Sequence, residues 1–315
     1  MIAVSHSTSA EEPKTSDLIE RFQNDCNLRD MVTTMDYVYR TRAYCAFLET
    51  RGKNPLNADM DDLEAFLAHL KAKGLKLRTI DGIYTSLSAF YGFLIIKGLV
   101  EHNPILPFRK YYLRRYKKDN DSEIRKLISV EEASQLVNSI LDTRDKCILV
   151  ILFKTGMRVG ELTSLDVSDI NLDKGEVTLK LKKKRTNRVL FLDNEAITVL
   201  ERWLVARKNR MGAENQALFL SKVGTRITKR TVENSIEKHA ERVGLHSPGA
   251  RLEERFTPHC CRHWFVTHLL RAGMSRDFVK ELRGDTRGEA IDIYNHIDKK
   301  ELKESYLVHA PQLGI

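Results

Sequence analysis

The chain has 315 residues, of which 42% are hydrophobic and 30% are charged, as in an ordinary globular protein long enough for two domains with cores. Lysine and arginine number 52 against 43 aspartate and glutamate, and the net charge of +9 favours a polyanionic partner, nucleic acid before an acidic membrane surface. A basic enzyme without such a partner is equally compatible with the charge alone.

The first part of the chain is predicted to be helical. Residues 1–14 are expected to be disordered, and they lack the basic-then-apolar layout of a signal peptide, so we expect a cytoplasmic protein. Apolar residues then recur at helical spacing, most clearly over Thr79–Lys97, where Gly98 ends the pattern. No long apolar segment is evident, and the Phe93–Ile96 run suits a buried helix. These patterns predict a domain of about four helices over residues 15–108.

A basic segment follows this domain. Pro104 and Pro107 stop the helical pattern, and residues 109–127 then interleave lysine and arginine with tyrosine. This composition predicts an interdomain linker that can lie along a phosphate backbone, with a solvated hinge as the alternative. The linker residues predicted to contact DNA are Arg109, Lys110, Arg114, Arg115, Lys117 and Lys118.

The second domain is predicted over residues 128–315. It opens with a capping box at Ser129 and Glu132, and a later helix is predicted from Asp142 through Arg158. Alternating residues between 175 and 192 predict a small β-hairpin with a lysine-rich tip. Helices are predicted again over 195–207, 229–243, 257–272 and 277–283. The fold class is therefore mainly α with a small antiparallel β-sheet, and the second domain is of mixed α+β type.

Two short motifs hold cationic side chains that suit a phosphate. Arg158 follows Gly156, which permits a close backbone approach, although a plain ion pair with Glu161 is also reasonable. His259 and Arg262 lie one turn apart on a helix that begins at Thr257-Pro258, and a helix N-terminus favours anions. The five cysteines include no CxxC pair, so neither a disulfide framework nor a metal site is expected, although two cysteines lie between His259 and Arg262.

The hairpin lysines and Tyr294 do not indicate a function when each is considered alone. The lysines of the hairpin tip are an ordinary solvated cluster by default, although one amine could reach a leaving oxygen. Tyr294 alone is best explained as a half-buried core tyrosine.

Together these motifs resemble the tyrosine recombinase family, the phage-type integrases and their Xer-like relatives. The resemblance spans roughly residues 15–310, and its first part is similar to the helical, SAM-like core-binding domain of that family. The phrases that carry it are Thr155-Gly156-Met157-Arg158-Val159-Gly160-Glu161-Leu162, His259-x-x-Arg262-His263 and Ile293-Tyr294-Asn295-His296.

The resemblance implies a role for each catalytic residue. Arg158 and Arg262 would hold the non-bridging oxygens of a phosphodiester, and Tyr294 would attack phosphorus to form a 3′-phosphotyrosyl bond. Lys183 would protonate the 5′-oxygen, with Lys182 and Lys184 left open, and His259 would assist proton transfer from the tyrosine. The other hairpin residues predicted to contact DNA are Lys182, Lys184 and Arg185. The family needs neither metal nor cofactor.

One departure from the family pattern is plain. The phrase that usually ends in His or Trp reads Leu282-Arg283-Gly284-Asp285 here, and a carboxylate would repel a phosphate unless it is protonated or paired. Asp285 is therefore a possible additional site residue, and His296 could enter the site instead.

The resemblance also implies partners and an outcome. The expected partner is double-stranded DNA in the nucleoid, bound by a homotetramer on paired sites, with strand exchange as the reaction. The tail Leu302–Ile315 could dock on a neighbouring subunit or pack on its own domain. The alternatives are relaxation of DNA in the manner of a type IB topoisomerase, a non-catalytic DNA-binding relative, and, more distantly, a metal-dependent nuclease.

Overall fold

The computed structural model describes residues 13–113, 126–180, 189–249, 254–284 and 297–315. The chain divides into two compact units, Met1–Ser122 and Glu123–Ile315. The domain boundaries expected from the sequence remain predictions, apart from the start of the linker at residue 109, which is described below.

The N-terminal unit is a helical bundle. Its helices are α1 (Thr15–Leu28), α2 (Thr34–Glu49), α3 (Met60–Ala72), α4 (Leu77–Ile96) and the short α5 (Ile105–Phe108). Helix α4 is central, because its apolar face is buried against the other helices and its two buried tyrosines find backbone acceptors. The Tyr84 hydroxyl donates to the Leu63 carbonyl at 2.6 Å, and the Tyr91 hydroxyl donates to the Pro55 carbonyl at 2.9 Å. Buried tyrosines therefore add directional bonds to an otherwise apolar core.

Helix α4 is long and apolar enough to cross a membrane by length and composition, with a mean hydropathy of 1.3, and it is the one such helix among the described residues. The sequence was expected to contain no long apolar segment, and that expectation was wrong for this helix. The physical reason for its apolarity is visible, because Leu87, Phe90 and Leu94 are fully buried in the bundle. These are the properties of a core helix.

The start of the predicted linker belongs to the N-terminal unit. Arg109–Leu113 continues α5 as a π-helical turn, and Leu113 is buried in the bundle core. The Arg109 guanidinium pairs with Asp81 at 2.9 Å, and the Tyr112 hydroxyl donates to Glu64 at 2.5 Å. An interdomain linker was predicted from residue 109, and these five residues instead pack and pair within the N-terminal unit.

The C-terminal unit is built around a buried helix. Its elements are α6 (Val130–Asn138), α7 (Thr143–Thr155), α8 (Val159–Leu162), a 3₁₀ turn (Val167–Asp169), β1 (Ile170–Asn171), β2 (Glu176–Thr178), β3 (Val189–Phe191), α9 (Asn194–Arg207), α10 (Lys229–Arg242), α11 (Pro258–Arg271), α12 (Arg276–Arg283) and α13 (Lys299–His309). Helix α7 is apolar on all sides from Cys147 to Phe153, and it packs against α9, α10 and α11. The Phe153 ring meets Trp264 of α11 edge-on, with 4.8 Å between ring centres.

The small sheet is antiparallel in the order β1-β2-β3. The predicted hairpin strands are confirmed as β2 and β3, with Val177 opposite Leu190 and both side chains buried. Strand β1 was not predicted, because its two residues are too few to show an alternating pattern. The predicted turn between β2 and β3 lies outside the described residues.

The C-terminal tail packs on its own unit. Leu302 and Tyr306 of α13 and Leu313 beyond it are buried, whereas Leu307 and Val308 are exposed. The sequence left open whether the tail covers its own domain or a neighbour's, and in this structure it covers its own.

Candidate active site

Gly156 shapes the turn that carries the first arginine. It ends α7 in the left-handed conformation, with a φ of 58°. A Cβ atom built on it would lie 2.3 Å from Cδ1 of Phe265, so only glycine fits between α7 and α11. A helix was predicted from Asp142 through Arg158, and its end was wrong, because α7 stops at Thr155 and the chain turns at Gly156.

Arg158 therefore begins a new helix and does not lie within one. It is the N-cap of α8, and its backbone N–H donates to a carboxylate oxygen of Glu161 at 2.7 Å. Its guanidinium Nη1 lies 3.3 Å from the other oxygen of the same carboxylate, and the Arg158 side chain is 44% exposed. The ion pair considered from the sequence is thus present, and it leaves the guanidinium at the surface.

Arg262 joins two distant parts of the site. This residue of α11 is buried, and its Nη1 donates to the Gly156 carbonyl at 2.7 Å while its Nη2 donates to the Arg283 carbonyl at 2.8 Å. Two backbone carbonyls therefore fix the plane of the guanidinium and offset part of the cost of burying its charge. The contacts bring together the turn before Arg158 and the last residue of α12.

His259 lies in the first turn of α11 and is exposed. The helix begins after Thr257 with Pro258 in its first turn, as predicted. Arg262, with its fixed guanidinium, lies three positions after His259, so both side chains belong to the first two turns of one helix.

The neighbouring Cys260 and Cys261 are buried and have structural roles. The Thr257 backbone N–H donates to the Cys260 sulfur at 3.4 Å, and Cys261 is fully buried. Burial raises the pKa of the Cys261 thiol, which disfavours the thiolate that metal binding requires. Within the described ranges no three His, Cys, Asp or Glu side chains form a group that could hold a metal ion.

Several predicted residues lie outside the described residues, and their roles remain predictions. They are Arg114, Arg115, Lys117, Lys118, Lys182, Lys183, Lys184, Arg185, Asp285, Tyr294 and His296. Their flanks are described: β2 and β3 precede and follow the lysine segment, whereas α12 and α13 precede and follow the segment with Tyr294. Arg262 bonds the carbonyl of Arg283, two residues before Asp285.

Two predicted DNA contacts of the linker are described. Arg109 is largely buried and paired with Asp81, so much of its charge is already compensated within the N-terminal unit. Lys110 is exposed. A cation that the sequence analysis missed is Lys229 at the start of α10, whose Cε would lie 2.7 Å from a Cβ built on Gly160. It adds a positive charge beside the Arg158 turn, and no local pattern connects the two segments.

Comparison with known proteins identifies the family. The model described as "Phage integrase family" matches residues 120–301, which is more than half of the chain. The chain belongs to this family. The model described as "Phage integrase, N-terminal SAM-like domain" matches residues 19–98, so both units of this integrase-family chain are accounted for.

Curated relatives place the chain among the Xer-like tyrosine recombinases, as its motifs predicted. Tyrosine recombinase XerC of Pelotomaculum thermopropionicum is 29% identical over 269 residues, which cover 82% of this chain and 83% of that protein. Tyrosine recombinase XerC of Vibrio cholerae is 30% identical over 240 residues, covering 75% and 72%. The chain is thus a tyrosine recombinase, and the predicted enzyme class is confirmed.

Solved structures agree on the fold. The Tn1549 transposon integrase in complex with circular intermediate DNA is 20% identical with a TM-score of 0.67, and the match covers 91% of this chain and 98% of that one. A lambda integrase dimer bound to a COC′ core site is 18% identical with a TM-score of 0.64, covering 90% and 79%. The likeness confirms the predicted fold class of a helical N-terminal domain followed by a mainly helical catalytic domain with a small antiparallel sheet.

Proposed function

We propose that this recombinase is site-specific and that it cuts and rejoins duplex DNA through a 3′-phosphotyrosyl intermediate, without metal or ATP. The observation that carries the proposal is the double contact of Arg262 with the Gly156 and Arg283 carbonyls. It holds a guanidinium beside the Arg158 turn and beside the helix that leads toward Tyr294. The net charge of +9 and the DNA present in the solved integrase complexes support DNA as the partner.

The reaction balances without a further reactant. Tyr294 Oη forms a bond to phosphorus as the bond from phosphorus to the 5′-oxygen breaks, and Arg158 and Arg262 stabilise the charge on the non-bridging oxygens. His259 assists removal of the tyrosine proton, and one lysine of the hairpin, Lys183 in our assignment, supplies a proton to the 5′-oxygen. Attack by a 5′-hydroxyl of another strand reverses these steps and releases the tyrosine. We further propose that four protomers assemble on two sites.

Asp285 stands where the family usually has His or Trp, and we propose that it holds a neighbouring cation rather than the phosphate. A carboxylate facing the phosphate would weaken its binding unless it is paired. His296, two residues after the nucleophile, is the alternative sixth group of the site.

The test is covalent trapping. A pool of nicked duplexes with randomised arms is incubated with the protein in EDTA, and adducts recovered from denaturing gels are sequenced to find the preferred site. The expected adduct forms in EDTA and is absent with Tyr294→Phe. Tyr306→Phe is the matched control, because this buried tyrosine donates its hydroxyl to the Lys154 carbonyl and takes no part in the proposed reaction.

Three outcomes would contradict the proposal. An adduct that persists in Tyr294→Phe would show that the nucleophile is another residue. Cleavage that requires a metal would indicate a nuclease, and relaxation of supercoiled DNA by monomers without a preferred sequence would indicate a topoisomerase.

A further inference from the structure

The carboxylate of Asp166 connects two elements of the C-terminal unit. One of its oxygens accepts a hydrogen bond from Nη2 of Arg226, and the other accepts one from Nζ of Lys180. The Arg226 guanidinium also donates to the Thr163 carbonyl at 3.2 Å and to the Leu165 carbonyl at 2.7 Å. Together these bonds form a tie, consisting of Asp166, Arg226 and Lys180, between the end of α8 and the end of β2.

Both ends of this tie lead to proposed catalytic residues. Thr163 directly follows α8, which begins at Arg158. Lys180 lies two residues beyond β2 and directly before residues 181–188, which include Lys183. The bonds of Asp166 thus fix the described base of the lysine hairpin relative to the helix of the first arginine.

The charge of Asp166 suits this task. Hydrogen bonds from Lys180 and Arg226 lower the pKa of its carboxyl group, so the carboxylate stays ionised at neutral pH. The two cations in turn neutralise a negative charge that would otherwise repel DNA in this part of the unit. A single carboxylate with two cationic partners restricts geometry more than an isolated pair does.

The side chains of the tie are partly exposed, and this exposure limits how much the tie stabilises the fold. The side chains of Lys180, Arg226 and Asp166 are 42%, 38% and 17% exposed, respectively. Exposed ion pairs contribute little to the free energy of unfolding. Removal of the carboxylate is therefore expected to leave the fold intact and to change mainly the placement of the hairpin.

We propose that Asp166 is a positioning residue for the general acid: it ties the described base of the lysine hairpin, at Lys180, to α8 and so governs how fast a hairpin lysine protonates the 5′-oxygen of the scissile phosphate. This inference rests on the proposed function and deepens it. A misplaced amine slows protonation of the leaving oxygen and leaves tyrosine attack and phosphate binding in place. The defect should therefore vanish when the leaving group needs no proton.

The experiment compares two substrates. One is a nicked duplex with the ordinary scissile phosphate, and the other has a 5′-bridging sulfur, whose thiolate is stable without protonation. Asp166→Asn should slow adduct formation on the ordinary phosphate by about 10- to 100-fold, a part of the roughly 10²- to 10⁴-fold that a positioned acid contributes. On the sulfur substrate its rate should approach that of the wild type. Lys180→Gln, which removes only the hairpin side of the tie, should show the same substrate dependence.

Three kinds of variant serve as references. Asp173→Asn removes an exposed carboxylate from the turn between β1 and β2, and it should leave both rates unchanged. Asp166→Glu should recover part of the rate on the ordinary phosphate. Lys183→Ala, run beside Lys182→Ala and Lys184→Ala, identifies the general acid as the lysine whose loss is rescued by sulfur. The melting temperature of each variant checks that the fold is retained.

The outcomes separate the two proposals. If one hairpin lysine is rescued by sulfur but Asp166→Asn is equally slow on both substrates, or is not slow at all, the positioning role is overturned and the proposed reaction stands. If sulfur rescues none of the three lysine variants, the general-acid assignment itself fails, and the inference about Asp166 fails with it.

Discussion

Replacement of Gly156 by alanine is expected to destabilise the C-terminal unit by about 2–5 kcal/mol, because one added methyl group meets two separate costs. The first is conformational: a φ of 58° lies in the left-handed region, which costs an L-residue about 1–2 kcal/mol. The second is steric, since the new Cβ would lie 2.3 Å and 2.8 Å from Cδ1 and Cγ of Phe265. Relief of such overpacking costs about 1–3 kcal/mol.

A matched glycine separates the two costs. Gly244 has a φ of 74°, and a Cβ built on it meets no atom within 4 Å. Gly244→Ala should therefore cost only the conformational part, about 1–2 kcal/mol. The excess cost of Gly156→Ala over this control measures the clash with Phe265, and Phe265→Leu in the Gly156→Ala background should recover part of it.

Urea denaturation followed by tryptophan fluorescence measures these differences, because both tryptophans, Trp203 and Trp264, are buried in the C-terminal unit. Gly156→Ala should also reduce adduct formation more than DNA binding, because the displaced Phe265 is three residues from Arg262 on the same helix. A cost of Gly156→Ala no greater than that of Gly244→Ala would refute the steric argument. Equal losses of binding and cleavage would refute the link to Arg262.

Three further predictions follow from buried charges of the C-terminal unit. Arg262→Lys keeps the positive charge but cannot bridge the two carbonyls that the guanidinium contacts. Adduct formation in gel trapping should therefore fall by at least about 100-fold, whereas the DNA affinity in a binding titration should change only a few-fold. Lys154→Met leaves the carboxylates of Asp193 and Glu195, each 2.5 Å from the Lys154 amine, without their buried cation, and should cost about 3–5 kcal/mol in urea denaturation. Burial would by itself raise the pKa of Asp145, but hydrogen bonds from α10 and the charge of Arg144 hold the pKa well below its usual range. A depressed folded-state pKa gives stability that is present above the unfolded-state pKa of about 4 and is lost as pH falls further. The stability advantage of the wild type over Asp145→Asn should therefore shrink between about pH 5 and pH 2. A difference that stays constant over this range would show that the pKa of Asp145 is not depressed.

The local elements of this protein could be predicted from the sequence. The spacing of apolar residues predicted α4, and Thr257 followed by Pro258 predicted the start of α11, because periodicity and capping depend on neighbours along the chain. The alternation around Val177 likewise predicted the strands of the hairpin. The motifs around Arg158, His259 and Tyr294 together indicated the family for the same reason, since the residues within each motif are close in the sequence.

Other features of the fold and site depend on contacts between distant segments. The break at Gly156 is invisible in the apolar pattern and becomes necessary only when Phe265 packs against it. Lys154 is charged and yet nearly fully buried, and no local pattern predicts this burial. The cost of burying its charge is offset by the carboxylates of Asp193 and Glu195 at the start of α9, about 40 residues away in the sequence.

The sequence by itself therefore determined most of the helices, the two strands of the hairpin and the family, and it predicts which side chains react. Only the tertiary structure decided that Arg262 is fixed by two carbonyls, that Asp166 ties α8 to the base of the hairpin, and that the tail packs on its own unit. The physical reason is that helix and strand patterns arise from interactions over a few residues. Placement of a buried or paired charge depends on partners that the chain brings together only when it folds.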